Sequence, residues 1–480
     1  MTPFLAVEDK FWERDWYGTT VLHPLALVAL IVLGALIFVL PRRHAVFSIL
    51  VMACFVASAQ RISIFGLDFT LLRCLICIGW VRVFFRGEYR GFVWKPIDKL
   101  VLWWGVVGTI TYVIQQQNGS AFVNRLGWLL DSTGMYFLFR SLVHHWRDFD
   151  GIVTTMIAIA VPVSLIFLVE SRTGRNLFSI FGGVPEITVE REGRLRCQGA
   201  FSHPIMAGCF WVGVLPWIGA LWWAGPAARV RALIGTTACL GIILLCASST
   251  PIAGVLVVAL AAAVFPFRAH MRKIRWAILL GIIGLEIVMK APVYHLIARI
   301  DLVDGSTGYH RYRLIDAAVH RFGEWAFMGT RSTAHWGWGL ADVTNEYILQ
   351  GVRGGALTLA LFIAIMVYGY KGVGAILRDC GRDRTRAIQA WSLGAALVAH
   401  TLMFIAVSYF GQIQVIWFLL LAMIGSLTPD PQTQPVAAST VVRSEVARPS
   451  RARPTHAPGR ARVPKKPATN RPRARVRAGY

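Results

Sequence analysis

The sequence predicts an all-α protein: a polytopic membrane helical bundle of about 12–13 transmembrane helices with two extracytoplasmic loops containing short helices. Three observations carry this expectation. Hydrophobic residues make up 56% of the 480 positions and charged residues only 15%, and the mean hydropathy of +0.55 means more apolar surface than a soluble fold can hide. Apolar runs close to the ~20 residues needed to cross a bilayer as helix recur from Val21 almost to Leu427. These runs lack the alternation of barrel strands, and backbone polar groups in lipid must be satisfied internally, which leaves helices.

Taken in order, the candidate spans centre near Leu30, Met52, Ile76, Gly105, Met135 and Ala158. After a polar loop come spans near Val214, Gly241, Ala259 and Leu280, and after a second loop spans near Ile363, Ala396 and Leu420. The first run follows Glu8, Asp9, Glu13 and Asp15 and has no small-residue cleavage site, so it is expected to stay attached. The chain thus divides into an N-terminal segment (1–20), a transmembrane domain (21–428) and a basic tail (429–480).

The short loops alternate in charge. Arg42 and Arg43, then Arg86, Arg90 and Lys95, then Arg147, Arg229 and Arg231 fall on one side, as do Arg268, Arg272, Lys273, Arg275 and the run Lys371 to Arg386. Loops such as Ser248 to Pro251 and Tyr409 to Gly411 carry almost no positive charge. The positive-inside rule puts the basic side and the tail in the cytoplasm, and the long loops 171–202 and 291–354 outside. With an odd number of spans the N-terminus lies outside as well; with one span re-entrant or lying on the surface it moves inside and the rest stands. The net charge of +24 follows this loop and tail distribution rather than the compact basic face of a nucleic-acid binder, so no nucleic-acid partner is expected. The tail is rich in Pro, Ala, Arg and Lys without apolar period and is expected to be disordered. Its charge either attracts anionic membrane lipids or simply reinforces topology.

Chemistry is sparse within the spans. Cys74 and Cys77 have redox spacing but sit mid-helix without a second pair, and read as small packing residues. Asp131 and Glu286 are ionisable groups inside spans, where a function or a paired partner is expected; Arg125 and Arg140 on the helix of Asp131 offer local pairing. Zinc-ligand spacings, acidic metal clusters, and Walker and Rossmann glycine patterns are absent, so the expected chemistry uses no metal and no cofactor.

The two long loops hold the clustered polar residues. In the first, Arg191, Arg194 and Arg196 lie within six residues, ahead of Gly199-Ala200-Phe201-Ser202-His203-Pro204. Guanidinium forks pair bidentately with phosphate oxygens, so this run suits a diphosphate; pairing with Glu190 and Glu192 or with lipid head groups is the competing reading. In the second, Arg311 and Arg313 open a helix-like stretch with Ile315, Ala318, Val319 and Phe322 on one face, suited to the bilayer surface. Trp325, Trp336 and Trp338 suit the membrane interface. His335, among glycines, and Glu346 are the alternative bases for deprotonating an attacking hydroxyl.

These segments resemble the O-antigen ligase and O-antigen polymerase family of bacterial lipid-linked glycan transferases. Arg196 to Ala207, with Gly199, Phe201, His203, Pro204 and Ala207, is similar to the family segment leading into a span after the first outer loop. Arg311 and Gly329 resemble its Arg and downstream Gly, and Asn345-Glu346-Tyr347-Ile348 with Gly351 and Gly354 resembles its His-Asn-x-Tyr-Leu block. The resemblance implies a metal-independent glycosyltransferase in the bacterial cytoplasmic (inner) membrane, building O-antigen or exopolysaccharide at its outer face. The donor would be a polyprenyl-diphosphate-linked oligosaccharide and the acceptor a glycan hydroxyl, with polysaccharide export or chain-length proteins as further partners. It implies diphosphate binding by Arg191, Arg194, Arg196 and Arg313, catalysis by Arg311 with His335 or Glu346, and support from His203 and Asn345. Thr344 stands where the family has histidine, which favours a polymerase over a ligase acting on lipid A core. The rival from another class is a transporter or lipid-linked glycan flippase with Asp131 and Glu286 along its path.

Overall fold

The structure is a computed structural model that describes residues 19–64, 67–299 and 308–429. The expectations for the N-terminal segment through residue 18 and for the tail from residue 430 lie outside the described residues.

Caps and prolines in the sequence set the helix starts. Helix α1 (Pro24–Val39) begins at a proline after His23, whose Nδ1 accepts from Leu25 N. Helix α2 (Arg42–Phe55) leads to the hairpin β1 (Arg61–Ile64) and β2 (Leu67–Thr70), and the Thr70 hydroxyl caps α3 (Leu71–Phe85). Helix α4 (Pro96–Gln116) is followed by α5 (Gly119–Leu129), which runs through a π-turn at Leu130–Gly134 into α6 (Met135–Leu142). Then come α7 (Trp146–Thr173), the short strands β3 (Glu190–Arg191) and β4 (Arg194–Leu195), α8 (Pro204–Ala220), α9 (Pro226–Leu245), α10 (Ser249–Val264) and α11 (Met271–Val288). The second long loop folds into α12 (Gly308–His320) and α13 (Phe322–Trp325), and the chain closes with α14 (Glu346–Asp379), α15 (Arg384–Met403) and α16 (Ile413–Leu427).

Every predicted span centre falls inside one of these helices, and the fold is the expected all-α polytopic bundle. Among the described residues, six helical stretches are long and apolar enough to cross a membrane: 96–116, 146–173, 204–223, 226–245, 249–288 and 346–379. Helices α1 and α16 are apolar but shorter. Helix α8 is the hub, with 83% of its apolar window buried, as expected of a helix that is apolar all round. Helix α11 is its opposite. It is as apolar as a span yet buries no residue against the protein, so lipid is the only solvent that suits it.

Hydrogen bonds tie the loops into two ends. At one, Arg42 reaches Leu142 O and Asp148, Arg82 reaches Leu40 O and Glu88, Arg140 reaches Asp98 and Ser426, and Arg386 reaches Asp150. This end collects the basic short loops. At the other, Val21 bridges Arg61, Cys197 N donates to Leu245 O, Arg331 reaches Gln115 and Gln117, and Gln412 reaches Ala200 O. Both long loops lie there.

The second loop builds a small core of its own from Leu314, Ala318, Trp325, Trp336, Leu340, Val343, Ile348 and Val352. This corrects two expectations. Trp325 and Trp336 are core residues rather than interface anchors, while Trp338 is 91% exposed. The buried face of α12 runs through Leu314 and Ala318, leaving Val319 and Phe322 exposed, because the partner is the folded loop rather than a flat lipid surface. Helix α14 is broken at Gly355, whose φ of 76° only glycine adopts freely. The break is filled by the loop: Ala356 N donates to Ala326 O at 2.7 Å and Thr330 N to Val352 O at 2.8 Å.

Candidate functional site

Arg311, near the start of α12, lies where three segments distant in sequence converge. Its Nε donates to Ala406 O at 3.2 Å, in the link between α15 and α16, and its Nη2 donates to the Thr250 hydroxyl at 3.1 Å, in the first turn of α10. Both acceptors are neutral, and among the described residues no carboxylate pairs with it. Burial pushes its pKa down from the ordinary arginine value, the Cys209 thiol opposes that, and the Arg191 cation adds to it. A guanidinium has five N–H donors, so three remain beyond these two bonds, and among the described residues none of the three has a partner.

Arg191 comes from the first loop. The turn Glu192-Gly193, with φ of 51° and 72°, has the backbone of a primed hairpin turn. It sets Arg191 directly opposite Arg194, so both side chains leave the same face of the ribbon. Arg191 and Arg196 also act on His203, whose pKa falls to about 4, first through burial and then through these two cations. The Nδ1 of His203 accepts from Ile205 N at 3.1 Å and starts α8. With that lone pair engaged, Nε2 carries the hydrogen, so His203 is a neutral donor and a cap, not a base. The two loops therefore come within electrostatic range of each other, through Arg191 and Arg311 on one hand and Arg191, Arg196 and His203 on the other. The amino ends of α8, α10 and α14 open toward the same end of the bundle, and their dipoles add positive potential there.

The other expected residues are distributed differently. Arg194 is exposed. Arg313, two residues beyond Arg311 and so on a different helix face, points its guanidinium at Gly337. His335 binds Glu324 at 2.8 Å, as do Trp336 at 3.0 Å and Arg321 at 2.8 Å. These hydrogen bonds, His335 first, draw the Glu324 carboxyl down to about 2. With 52% of its side chain exposed, His335 belongs to a surface cluster on α13; its bonds are to that cluster and not to Arg311.

Glu346 is buried at the start of α14. Its Oε1 accepts from Gln350 Nε2 at 2.6 Å and its Oε2 from Tyr409 N at 2.7 Å. It lines a pocket, open to solvent, whose walls include Arg125, Trp104, Trp128, Arg353 and Trp417. Asn345 is the cap of α14: its Oδ1 accepts from Ile348 N and its Nδ2 donates to Ile405 O at 2.9 Å. Thr344, at the departure from the family block, has a buried hydroxyl without a partner.

The sequence matches no protein-family model, and no curated protein resembles it closely enough to count as a relative. The site is thus read from its own geometry.

The link at 404–412 is what the sequence reading passed over. It supplies Ala406 to Arg311, Ile405 to Asn345 and Tyr409 to Glu346, and so joins Arg311 to the pocket. The signal was its lack of basic residues beside a polar and aromatic run, Tyr409-Phe410-Gly411-Gln412. Two pairing expectations are also corrected. Asp131 pairs with Arg73 of α3, Nε to Oδ1 at 2.9 Å, while Arg140 of its own helix turns to Asp98. Glu286 is exposed on α11, where its Oε2 accepts from Val293 N at 2.8 Å. Among the described residues no group of His, Cys, Asp and Glu is arranged to hold a metal ion.

Proposed function

We propose that this chain transfers or polymerises glycan units from a polyprenyl-diphosphate carrier onto an acceptor hydroxyl, at the outer face of a bacterial cytoplasmic membrane. The observation that carries the reading is Arg311, a half-buried cation that among the described residues is bound to neutral groups and feels the charge of Arg191 in the other loop. Such a group is costly to bury unless a multiply charged anion neutralises it. A diphosphate is that anion, and as a leaving group it departs when its developing charge is stabilised by preorganised donors.

In the step proposed, the acceptor oxygen forms a bond to the anomeric carbon as the bond from that carbon to the diphosphate oxygen breaks. The electron pair goes to the diphosphate, against Arg311 and Arg191. Glu346, bound to Tyr409 of the same link 404–412, is the base in this scheme and takes the acceptor proton. His335 is not needed in this scheme, because its nitrogen is engaged by Glu324.

The test is transfer by purified protein in lipid, with EDTA present, from the polyprenyl-diphosphate oligosaccharide of the source organism. Longer lipid-linked glycan supports a polymerase; transfer only onto lipid A core supports the ligase reading. A folded wild type that makes no product, yet moves its donor across vesicles, is a flippase, and the proposal fails.

A further inference from the structure

The cavity beside Glu346 contains a second cation that the diphosphate scheme does not use. Arg125, on α5, is only 6% exposed. Its Nε is buried without a hydrogen-bond partner, and its guanidinium lies 3.8 Å from the Tyr112 ring centre and 4.8 Å from that of Trp128. Cation–π contact offsets part of the desolvation of a guanidinium but leaves its N–H donors unmet. Arg353, from the first segment of the broken α14, is close enough to repel it. Two like charges thus share one cavity with Glu346, which is close enough to Arg353 to feel its charge and is hydrogen-bonded to Gln350 and Tyr409.

The rest of the wall is aromatic and amide. Trp104 donates its indole hydrogen to Gln350 Oε1 at 2.9 Å and meets Trp128 edge-on at 4.8 Å between ring centres, with Trp417 and Gln414 nearby. Flat apolar rings match the C–H face of a pyranose, amides match its hydroxyls, and paired arginines match a carboxylate.

We propose that this cavity binds an acidic saccharide, a hydroxylated ring carrying a carboxylate, with Arg125 and Arg353 on the charge and Trp128 against the ring. That this ring belongs to the acceptor glycan rests on the transferase reading above; the binding itself does not.

The experiment measures radiolabelled D-glucuronic acid on full-length protein in phosphatidylcholine nanodiscs, by scintillation proximity. Saturable binding is expected, at least about tenfold tighter than D-glucose, the scale of one charge-assisted hydrogen bond. Arg125→Gln and Arg353→Gln should each weaken it by about tenfold or more, and Arg353 is exposed, so its replacement keeps the test open if the Arg125 variant misfolds. Arg311→Ala should retain the binding even where transfer is lost, which separates this proposal from the diphosphate scheme. Glucuronate binding no better than glucose, or unchanged in the Arg353 variant, overturns it. Displacement by sn-glycerol 3-phosphate at concentrations where glucuronate does nothing would assign the cavity to a lipid head group and overturn it too.

Discussion

Replacing Arg311 by lysine separates electrostatics from geometry at the proposed diphosphate site. The guanidinium spends Nε on Ala406 O and Nη2 on the Thr250 hydroxyl, 3.2 and 3.1 Å away, and keeps its other N–H groups for a ligand. An ammonium has three donors on a single nitrogen, so after meeting both acceptors it keeps one at most and cannot make the forked, bidentate contact that the guanidinium offers a diphosphate. Losing one preorganised donor to a developing oxyanion lowers the rate by about 10²–10³-fold, roughly 3–4 kcal/mol. Arg311→Lys should therefore lower kcat/KM by about 10²-fold, close to Arg311→Ala, although it keeps the charge. The assay is initial-rate transfer from the lipid-diphosphate donor, with thermal unfolding of each variant to establish folding. If the lysine variant runs within about threefold of wild type, charge alone suffices and the forked geometry argued here is wrong.

Four further outcomes follow from the packing and the charges. Asp98 is fully buried and accepts from Arg140 Nε at 2.8 Å, Arg140 Nη2 at 3.0 Å and Lys95 N at 2.7 Å; Asp98→Ala strands a buried arginine and should cost about 3–5 kcal/mol. Asp150→Ala, at the half-exposed pair with Arg386, should cost about 0–1 kcal/mol by the same melting measurement. His203 takes up a proton only near pH 4 in the fold but near 6.5 when unfolded. Its contribution is therefore complete above pH 6.5 and is lost as pH falls from 6.5 to about 4, by at most about 3 kcal/mol; the Tm gap between wild type and His203→Gln, recorded across that window, should change most there. Gly355→Ala would put a Cβ 2.4 Å from Phe327 O at a φ of 76°, whereas Gly241→Ala meets nothing within 4 Å; the first should abolish folded protein in size-exclusion profiles and the second leave it unchanged.

The spans were legible because their signal is local: an apolar run long enough to cross a bilayer must be a helix wherever it lies. The arginines of the two loops were legible as chemistry, since Arg191, Arg196 and Arg311 stand in polar sequence. Their meeting was not, because it depends on Ala406 and Thr250, a backbone carbonyl and one hydroxyl whose sequence context carries no mark. Arg125 was read as a partner for Asp131 because helical spacing is all that a sequence offers. The fold instead sends Arg73 from a neighbouring helix to Asp131 and leaves Arg125 among aromatic rings. His335 stood out by residue type, yet its role in the fold was fixed by Glu324, eleven residues earlier.

Arg311 and Arg125 stand apart from the carboxylate-paired arginines of the bundle, and that contrast supports an anionic substrate for the proposed function. At the basic-loop end Arg42, Arg82, Arg140 and Arg386 each have their own carboxylate: Asp148, Glu88, Asp98 and Asp150. The same chain at its other end pairs Arg61 with Asp68 and Arg73 with Asp131, so carboxylates are available there as well. Arg311 and Arg125 are nonetheless held by neutral groups and aromatic rings. Desolvating a guanidinium costs several kcal/mol wherever it happens, so the lack of an acidic partner for these two among the described residues is a standing cost that packing alone would have no reason to carry. A carboxylate beside either would compete with an anionic ligand for the same donors. One link, 404–412, touches both, its Ala406 O accepting from Arg311 and its Phe404 and Tyr409 lining the pocket of Arg125, so under the proposed reading the diphosphate and acceptor sites share that link, as transfer between them would require.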